Sequence, residues 1–209
     1  MTVKIQWWFD FISPFAYLQQ QTLLQKLPPN VELTYKPVLL AGMLHHWGNR
    51  GPAETPSKRI FTYKHTLWMA RKAGVPMTFP PGHPFNPLKA LRLAIALGNS
   101  ADAIDAIFKY IWAQGKSLDD PAFATLASSL GVKDPSEIAT PQVKDALRQA
   151  GQEAVDSGVF GVPTFVVDDQ LFWGYDAGDM LLEYLQNPQS FQDAEMKRAE
   201  TLPIAASRV

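Results

Sequence analysis

The sequence predicts an α/β fold, with strands near both ends of the chain and an all-helical domain inserted between them. Three observations predict it. Apolar runs of strand length stand at Val3–Phe9 and Val31–Pro37, with a short helical segment between them. From Val38 to Gly158 the apolar residues recur at helical spacing. At Pro163 the spacing returns to two, and a hairpin and a last helix follow.

In chain order, Val3–Phe9 is largely apolar and aromatic and reads as a buried strand. Pro14 cannot continue a strand ladder but fits the first position of a helix. Ser13 is then its N-cap candidate, and Phe15, Tyr17 and Leu18 begin an amphipathic helix. Pro28-Pro29-Asn30 breaks the chain before the alternating strand Val31–Pro37. Strand, helix, strand implies a right-handed parallel unit.

In the helical block, Gly48–Pro52 is a loop. Ser57 can cap a helix to about Ala73, with Ile60, Tyr63, Leu67 and Ala70 on one face and Gly74 as its stop. Val75–Pro87 is a Pro-rich connector, and Leu88–Leu97 is a helix ended by Gly98. Ser100 can cap the next, whose buried stripe is Ile104, Ile107, Phe108, Ile111 and Trp112. Pro121–Leu130 and Pro141–Ser157 each open on a proline, making five helices in all.

Then Pro163–Val167 is a strand, Asp168-Asp169 a hairpin turn, Gln170–Trp173 its partner, and Gly178–Gln186 the final helix. The tail from Asn187 shows no clear apolar periodicity and is expected to pack loosely or be partly disordered. Removing the block leaves two parallel strands, a hairpin and flanking helices, a thioredoxin-like core. The expected division is therefore 1–37 with 159–186 as a discontinuous thioredoxin-like domain, 38–158 as the helical insertion, and 187–209 as a tail.

Composition narrows the function. Of 209 residues, 46% are hydrophobic and 19% charged, which suits a globular protein, and the formal net charge of -1 argues against nucleic acid as a partner. No apolar run approaches the roughly 20 residues of a membrane span. The chain begins directly with a strand, so the expectation is a cytoplasmic protein. There is no cysteine, which excludes disulfides, thiolate metal sites and cysteine nucleophiles. His45-His46 lacks the i, i+4 spacing of a helical metal pair, and no metal is expected.

Two places carry candidate chemistry. Ser13 puts a hydroxyl at a helix N-terminus, where free backbone N–H groups and the helix dipole favour an anion; its plainer role is to cap the helix. The second place is Gly161-Val162-Pro163-Thr164. If the Val162–Pro163 peptide is cis, the Val162 N–H and C=O turn outward and can bind an extended peptide by strand addition; a trans proline at a sheet edge is the commoner case.

The pairing of Phe9-Asp10-Phe11-Ile12-Ser13-Pro14-Phe15-Ala16-Tyr17-Leu18 with Gly161–Val167, with a helical block between, resembles the kappa-class glutathione transferase family and, within it, bacterial 2-hydroxychromene-2-carboxylate isomerases. The resemblance spans about Lys4 to Leu185. DsbA-type oxidoreductases share the architecture but carry C-x-x-C where this chain has Ser13-Pro14-Phe15-Ala16.

The resemblance implies glutathione as a cofactor that lends its thiol, with Ser13 donating a hydrogen bond to the sulfur. It implies that Asn49 lies near glutathione, that Lys58 pairs with a carboxylate, and that Val162, ahead of Pro163, bonds the cysteinyl backbone. Trp173, Gly174, Tyr175 and Asp176 match the segment holding the γ-glutamyl end, with Asp176 accepting from the ammonium. The plainer roles are a turn residue for Asn49, a solvated lysine for Lys58 and a helix cap for Asp176. His83 and Asn86 should lie at the cleft mouth, suited to orient an aromatic substrate, or else be a surface histidine and a helix cap. Two departures stand out. Ala177 replaces a frequent arginine, and Leu44 replaces a lysine expected to meet the substrate carboxylate.

The expected function is glutathione-dependent isomerisation of a small aromatic 2-hydroxychromene-2-carboxylate-type compound to its open-chain trans-o-hydroxybenzylidenepyruvate isomer. The course would be thiolate addition, ring opening, bond rotation and elimination of glutathione. Alternatives are a kappa-class glutathione S-transferase and a non-catalytic module that holds peptides at the Val162-Pro163 edge. The family tends to form homodimers.

Overall fold

The computed structural model of the protein describes residues 2–206. Its sheet has four strands, β1 (Val3–Phe9), β2 (Val31–Pro37), β3 (Thr164–Val167) and β4 (Gln170–Trp173), in the order β2-β1-β3-β4. β1 and β2 are parallel, from Val3↔Val31 to Phe9↔Pro37, and are joined by α1 (Pro14–Thr22) as the parallel crossover requires. β3 runs antiparallel to β1, with Trp8 opposite Thr164, and β4 closes the hairpin. Asp168 and Asp169 both have positive φ, 47° and 64°, which a two-residue hairpin turn of the favoured twist demands.

The inserted block holds six α-helices among the described residues, one more than the sequence suggests. They are α2 (Leu40–His46), α3 (Pro56–Ala73), α4 (Leu88–Ala96), α5 (Ala101–Phe108), α6 (Ala122–Ser129) and α7 (Pro141–Asp156). The additional one, α2, is only two turns long with a single fully buried residue, Met43, too little to show as a period.

Two expectations for α3 are corrected. It starts at Pro56, with Thr55 before it and no side-chain cap, so Ser57 is inside the helix. Its buried side is Thr66 and Ala70, while Ile60 and Leu67 are 55% and 39% exposed. Both edges of the helix carry large apolar groups, so the spacing alone could not say which one turns inward. Ser100 caps α5 as expected, accepting from Ala103 N, and the stripe Ile104, Ile107, Phe108, Ile111 and Trp112 is buried throughout. α5 then widens into a π-helical turn at Lys109–Ala113, closed by Gln114 N to Lys109 O at 2.9 Å.

The alternation of β1 divides the interior. Ile5, Trp7, Phe9 and Phe11 enter the main core, and Trp8 enters a smaller one with Val38, Met43, Ala154 and Val159. Trp7 stacks on Phe9 with ring centres 4.5 Å apart, and Phe9 and Phe11 pack against Phe108 of α5 at 5.6 and 4.6 Å. The main core therefore runs from the sheet into the helical block. Burying each such ring contributes about 2 kcal/mol or more.

α8 (Gly178–Gln186) follows β4 as expected. The tail is more ordered than its composition suggests. Phe191 packs edge-on against Phe172 and Tyr184, and α9 (Ala194–Glu200) is capped by Asp193, though all its residues are exposed. The last three residues of the expected 187–209 tail lie outside the described residues. No helix among the described residues is long and apolar enough to cross a membrane.

Candidate functional site

Ser13 stands where β1 ends and α1 begins. It caps α1, its Oγ accepting from Ala16 N at 3.2 Å, and its own N–H donates to Asp10 O at 3.0 Å. The residue is 6% exposed. The bond from Ala16 uses one lone pair of Oγ, and among the described residues no acceptor takes its O–H proton. Ser13 thus presents an uncommitted donor at the positive end of a nine-residue helix with no acid in its first turn.

The sheet register brings the second candidate place to the same end. Beyond the Trp8–Thr164 pair, β3 leads back to Pro163 and Val162 beside the end of β1 that runs into Ser13. The Val162–Pro163 peptide is cis. Among the described residues, neither the N–H nor the C=O of Val162 has a hydrogen-bond partner, which leaves both for an extended ligand.

Trp173 and Gly174 lie alongside, through Thr164↔Trp173 pairing and Gly174 N to Pro163 O at 2.8 Å. Gly174 has a φ of 92°, and a Cβ there would approach Asp176 Oδ1 to 2.6 Å, so the turn that places Asp176 needs glycine. Gly161 packs closely under the Trp173 ring, where a Cβ would meet Nε1 at 2.7 Å. Asp176 is exposed and does not cap α8, whose N-cap position is Ala177. Tyr175 is half-buried, its hydroxyl 3.5 Å from Thr22 Oγ1.

Asn49 lies on the segment that joins α2 to α3, and Lys58 at the start of α3. Both are exposed, and neither side chain makes a hydrogen bond or ion pair among the described residues. Trp47, two residues before Asn49, donates from Nε1 to Val159 O at 3.0 Å and so ties this segment to the loop that leads to Val162. Lys58 is in the first turn of α3, and α3 packs on α1. Asn86 is exposed and its Oδ1 accepts from Leu88 N at 3.0 Å, the geometry of a helix-start residue for α4. His83 is half-buried, with one ring nitrogen 2.9 Å from Ile12 O and the other 2.7 Å from the Tyr63 hydroxyl.

Three residues at this end escape sequence reasoning. Asp10 is fully buried, and its carboxylate accepts from Ile12 N at 3.1 Å and Leu40 N at 2.8 Å. Burial pushes its pKa up to about 7, against the opposing pull of backbone N–H groups of Leu40, Ile12 and Phe11. Gln19, also buried, accepts from Trp7 Nε1 at 2.7 Å and donates to Gly174 O at 3.0 Å, joining α1 to the segment before Asp176. Tyr63 of α3 holds His83. An acid within Trp7-Trp8-Phe9-Asp10-Phe11 is a visible signal; a glutamine on a helix and a tyrosine on an apolar stripe give none.

Two surface hollows lie away from this end. One is lined by Lys36, Ile95, Asn99 and Glu153 among others, and the second by Lys4, Gln6, Asp156 and Asp168; Ser13 lines neither. The candidate site is formed by the turn before α1, the Val162 loop and the Gly174 turn.

Comparison with known proteins follows the same outline. Residues 4–186 match the DSBA-like thioredoxin domain. The 2-hydroxychromene-2-carboxylate isomerase of Sphingobium xenophagum is 32% identical over 198 residues, covering 88% of this chain and 99% of the relative. Glutathione S-transferase kappa 1 of Rattus norvegicus is 26% identical, covering 87% and 90%. A solved 2-hydroxychromene-2-carboxylate isomerase structure superposes with a TM-score of 0.74 at 24% identity, covering 92% of this chain and 98% of its own, which shows the shared fold. The chain belongs to the family of DSBA-like thioredoxin domains, alongside the 2-hydroxychromene-2-carboxylate isomerases and kappa-class glutathione transferases that it resembles along most of its length.

Proposed function

We propose that the chain is an enzyme that binds glutathione at the Ser13 end of the sheet and isomerises a 2-hydroxychromene-2-carboxylate-type aromatic compound to its open-chain benzylidenepyruvate form. The observation that carries this reading is the Ser13 hydroxyl, which accepts from Ala16 N while its own proton is uncommitted at a helix N-terminus. A donor and a positive dipole end in one place favour a thiolate over a thiol.

The surrounding groups fit the rest of the tripeptide. Val162 offers a free N–H and C=O for the cysteinyl backbone. Asp176 offers a carboxylate for the ammonium, and Lys58 a cation for a carboxylate, with Asn49, Pro163, Trp173, Gly174 and Tyr175 shaping the walls. Bound glutathione would supply a nucleophilic sulfur that adds reversibly and is not consumed. Ser13 holds the sulfur's charge, and the aromatic side chains nearby, Phe160 and Trp173 with ring centres 5.1 Å apart, offer an apolar surface to a small aromatic substrate. The reducing cytoplasm, where glutathione is kept as the thiol, suits this use.

The test is glutathione binding with ultraviolet thiolate absorbance, in wild type and Ser13→Ala. A hydrogen bond to a charged group is worth roughly 1.5–3 kcal/mol, so the mutant's bound thiol pKa should rise by about 1 to 2 units and turnover at neutral pH should fall at least about tenfold. Loss of the cap itself costs about 1 kcal/mol of stability and is read separately by denaturation. An unmoved thiol pKa would remove Ser13 from the chemistry.

A second reading, a conjugating transferase, is favoured by Leu44, which stands where the resemblance to naphthalene-pathway isomerases would put a lysine, and by the kappa-class relatives. Product analysis separates them, because only the transferase leaves sulfur on the product. If no glutathione is bound, the free Val162 edge favours the peptide-holding module.

A further inference from the structure

The Pro-rich connector between α3 and α4 reaches the turn that presents Ser13, and His83 makes the contact. His83 Nε2 lies 2.9 Å from Ile12 O. A carbonyl can only accept, so Nε2 carries the ring proton and donates it; this assigns the tautomer. Nδ1 is then an acceptor, and the single proton of the Tyr63 hydroxyl is shared between the carbonyl of His83 itself, at 2.6 Å, and Nδ1, at 2.7 Å. The ring is packed edge-on among Phe79, Phe85 and Trp112 at 5.9, 5.9 and 5.5 Å, and burial lowers its pKa from the usual histidine value, against the opposing pull of the Ile12 bond. Both ring nitrogens are therefore spent, and neither is free for a substrate.

The bond to Ile12 O matters because that oxygen belongs to the Ile12–Ser13 peptide unit. The other end of the same unit, Ser13 N–H, donates to Asp10 O at 3.0 Å. The neighbouring units are held as well. Ile12 N–H donates to Asp10 Oδ1, and Phe11 O accepts from Trp112 Nε1 at 2.8 Å. The bonds to Ile12 O and Phe11 O come from the helical block, from the connector and the π-helical turn. The connector is itself fixed to the π-helical turn by Thr78 N to Trp112 O, and to α1 by the Tyr17 hydroxyl to Pro76 O.

We propose that His83 is a positioning residue for Ser13: through the Ile12 carbonyl it fixes the peptide plane that sets the direction of the Ser13 hydroxyl and of the Phe15 N–H, the one first-turn amide of α1 without a partner among the described residues. Its role in catalysis rests on the glutathione reading, whereas the clamp itself is a property of the free protein. The two are tested together but read apart, in wild type, His83→Phe, His83→Gln and Tyr63→Phe. Phenylalanine keeps the ring and loses the donor. Glutamine keeps an N–H of similar reach.

In His83→Phe, hydrogen exchange over residues 12–16 of the free protein should quicken about tenfold. The thiol pKa of bound glutathione should rise by about one unit, and kcat should fall about tenfold with the KM for the aromatic substrate unchanged. His83→Gln should recover most of each change, a result that loss of packing alone would not give. Tyr63→Phe, altered at the half-exposed end, should move all three in the same direction by less, and it decides the matter if His83→Phe does not fold. Unchanged exchange and thiol pKa would overturn the proposal. So would a change confined to the substrate KM, which would return His83 to substrate contact, or a glutamine variant no better than phenylalanine. A wild type that forms no thiolate would remove the glutathione reading, and the exchange rates would still decide the clamp.

Discussion

Asp10 shows how much one residue can add at this end of the sheet. It is buried in an aromatic run, yet three backbone N–H groups stabilise its charged form, and the balance leaves its pKa near 7 instead of the ordinary 3.8. The sign of the stability effect follows. Between those two pH values the folded chain holds a proton that the unfolded chain has released, so stability falls as pH rises. The contribution is fully present below about 4 and is lost as pH climbs through about 7. Asp10→Asn removes this slope. Denaturant unfolding at pH 5 and pH 8, conditions of about those values, should show wild type losing more stability than Asp10→Asn over the interval. Parallel losses would mean that Asp10 titrates normally. Asp10 was legible as an oddity in an apolar run; its distant partner was not, because Leu40 is thirty positions away and meets it only through the start of α2.

Among the elements, α1 does more than carry Ser13. Its buried Gln19 is wedged between Trp7 of β1 and the Gly174 carbonyl, so the helix fixes both the strand beneath it and the turn that places Asp176. Gln19→Leu keeps the approximate shape and removes both bonds, leaving the buried Trp7 N–H without a partner. The expected cost is about 2 kcal/mol by chemical denaturation, with weaker glutathione binding by several-fold through the displaced Gly174 turn. A variant with unchanged stability and affinity would show that the two bonds are incidental. α1, β1, β2, the hairpin and α5 were readable because each has one clean apolar period and its own start or stop signal. α2 was too short to read; α3 was readable in extent and in its Gly74 stop, but its two competing apolar edges hid which one turns inward.

At the scale of the molecule, α3 leaves a surface that the monomer does not cover. Ile60, Phe61, Leu67 and Trp68 are each at least 39% exposed on one 18-residue helix. Large apolar groups gathered on one exposed helix face can seat a partner, and the occupant we propose is a second copy, in the homodimer that the family resemblance implies. Light scattering of the purified protein should show a dimer, and Trp68→Ser together with Phe61→Ser should shift it toward monomer; a monomeric wild type would end that proposal. The main core matters here too, because Trp7, Phe9 and Phe11 pack on Phe108 across the boundary between sheet and helical block. Substitutions in the block are therefore felt at the Ser13 turn.

The sequence by itself determined the strand order and the longer helices between the strands, the cap at Ser13, the Asp168-Asp169 hairpin and the absence of any thiol, since these rest on local periods, on residues with restricted backbones and on composition. Only the tertiary structure decided what holds the Ser13 turn. Asp10 to Leu40, His83 to Ile12, Trp112 to Phe11 and Gln19 to Gly174 span between 30 and 155 positions. Bonds of that kind have no period to read: a buried polar group takes whichever partner the packed core brings within reach.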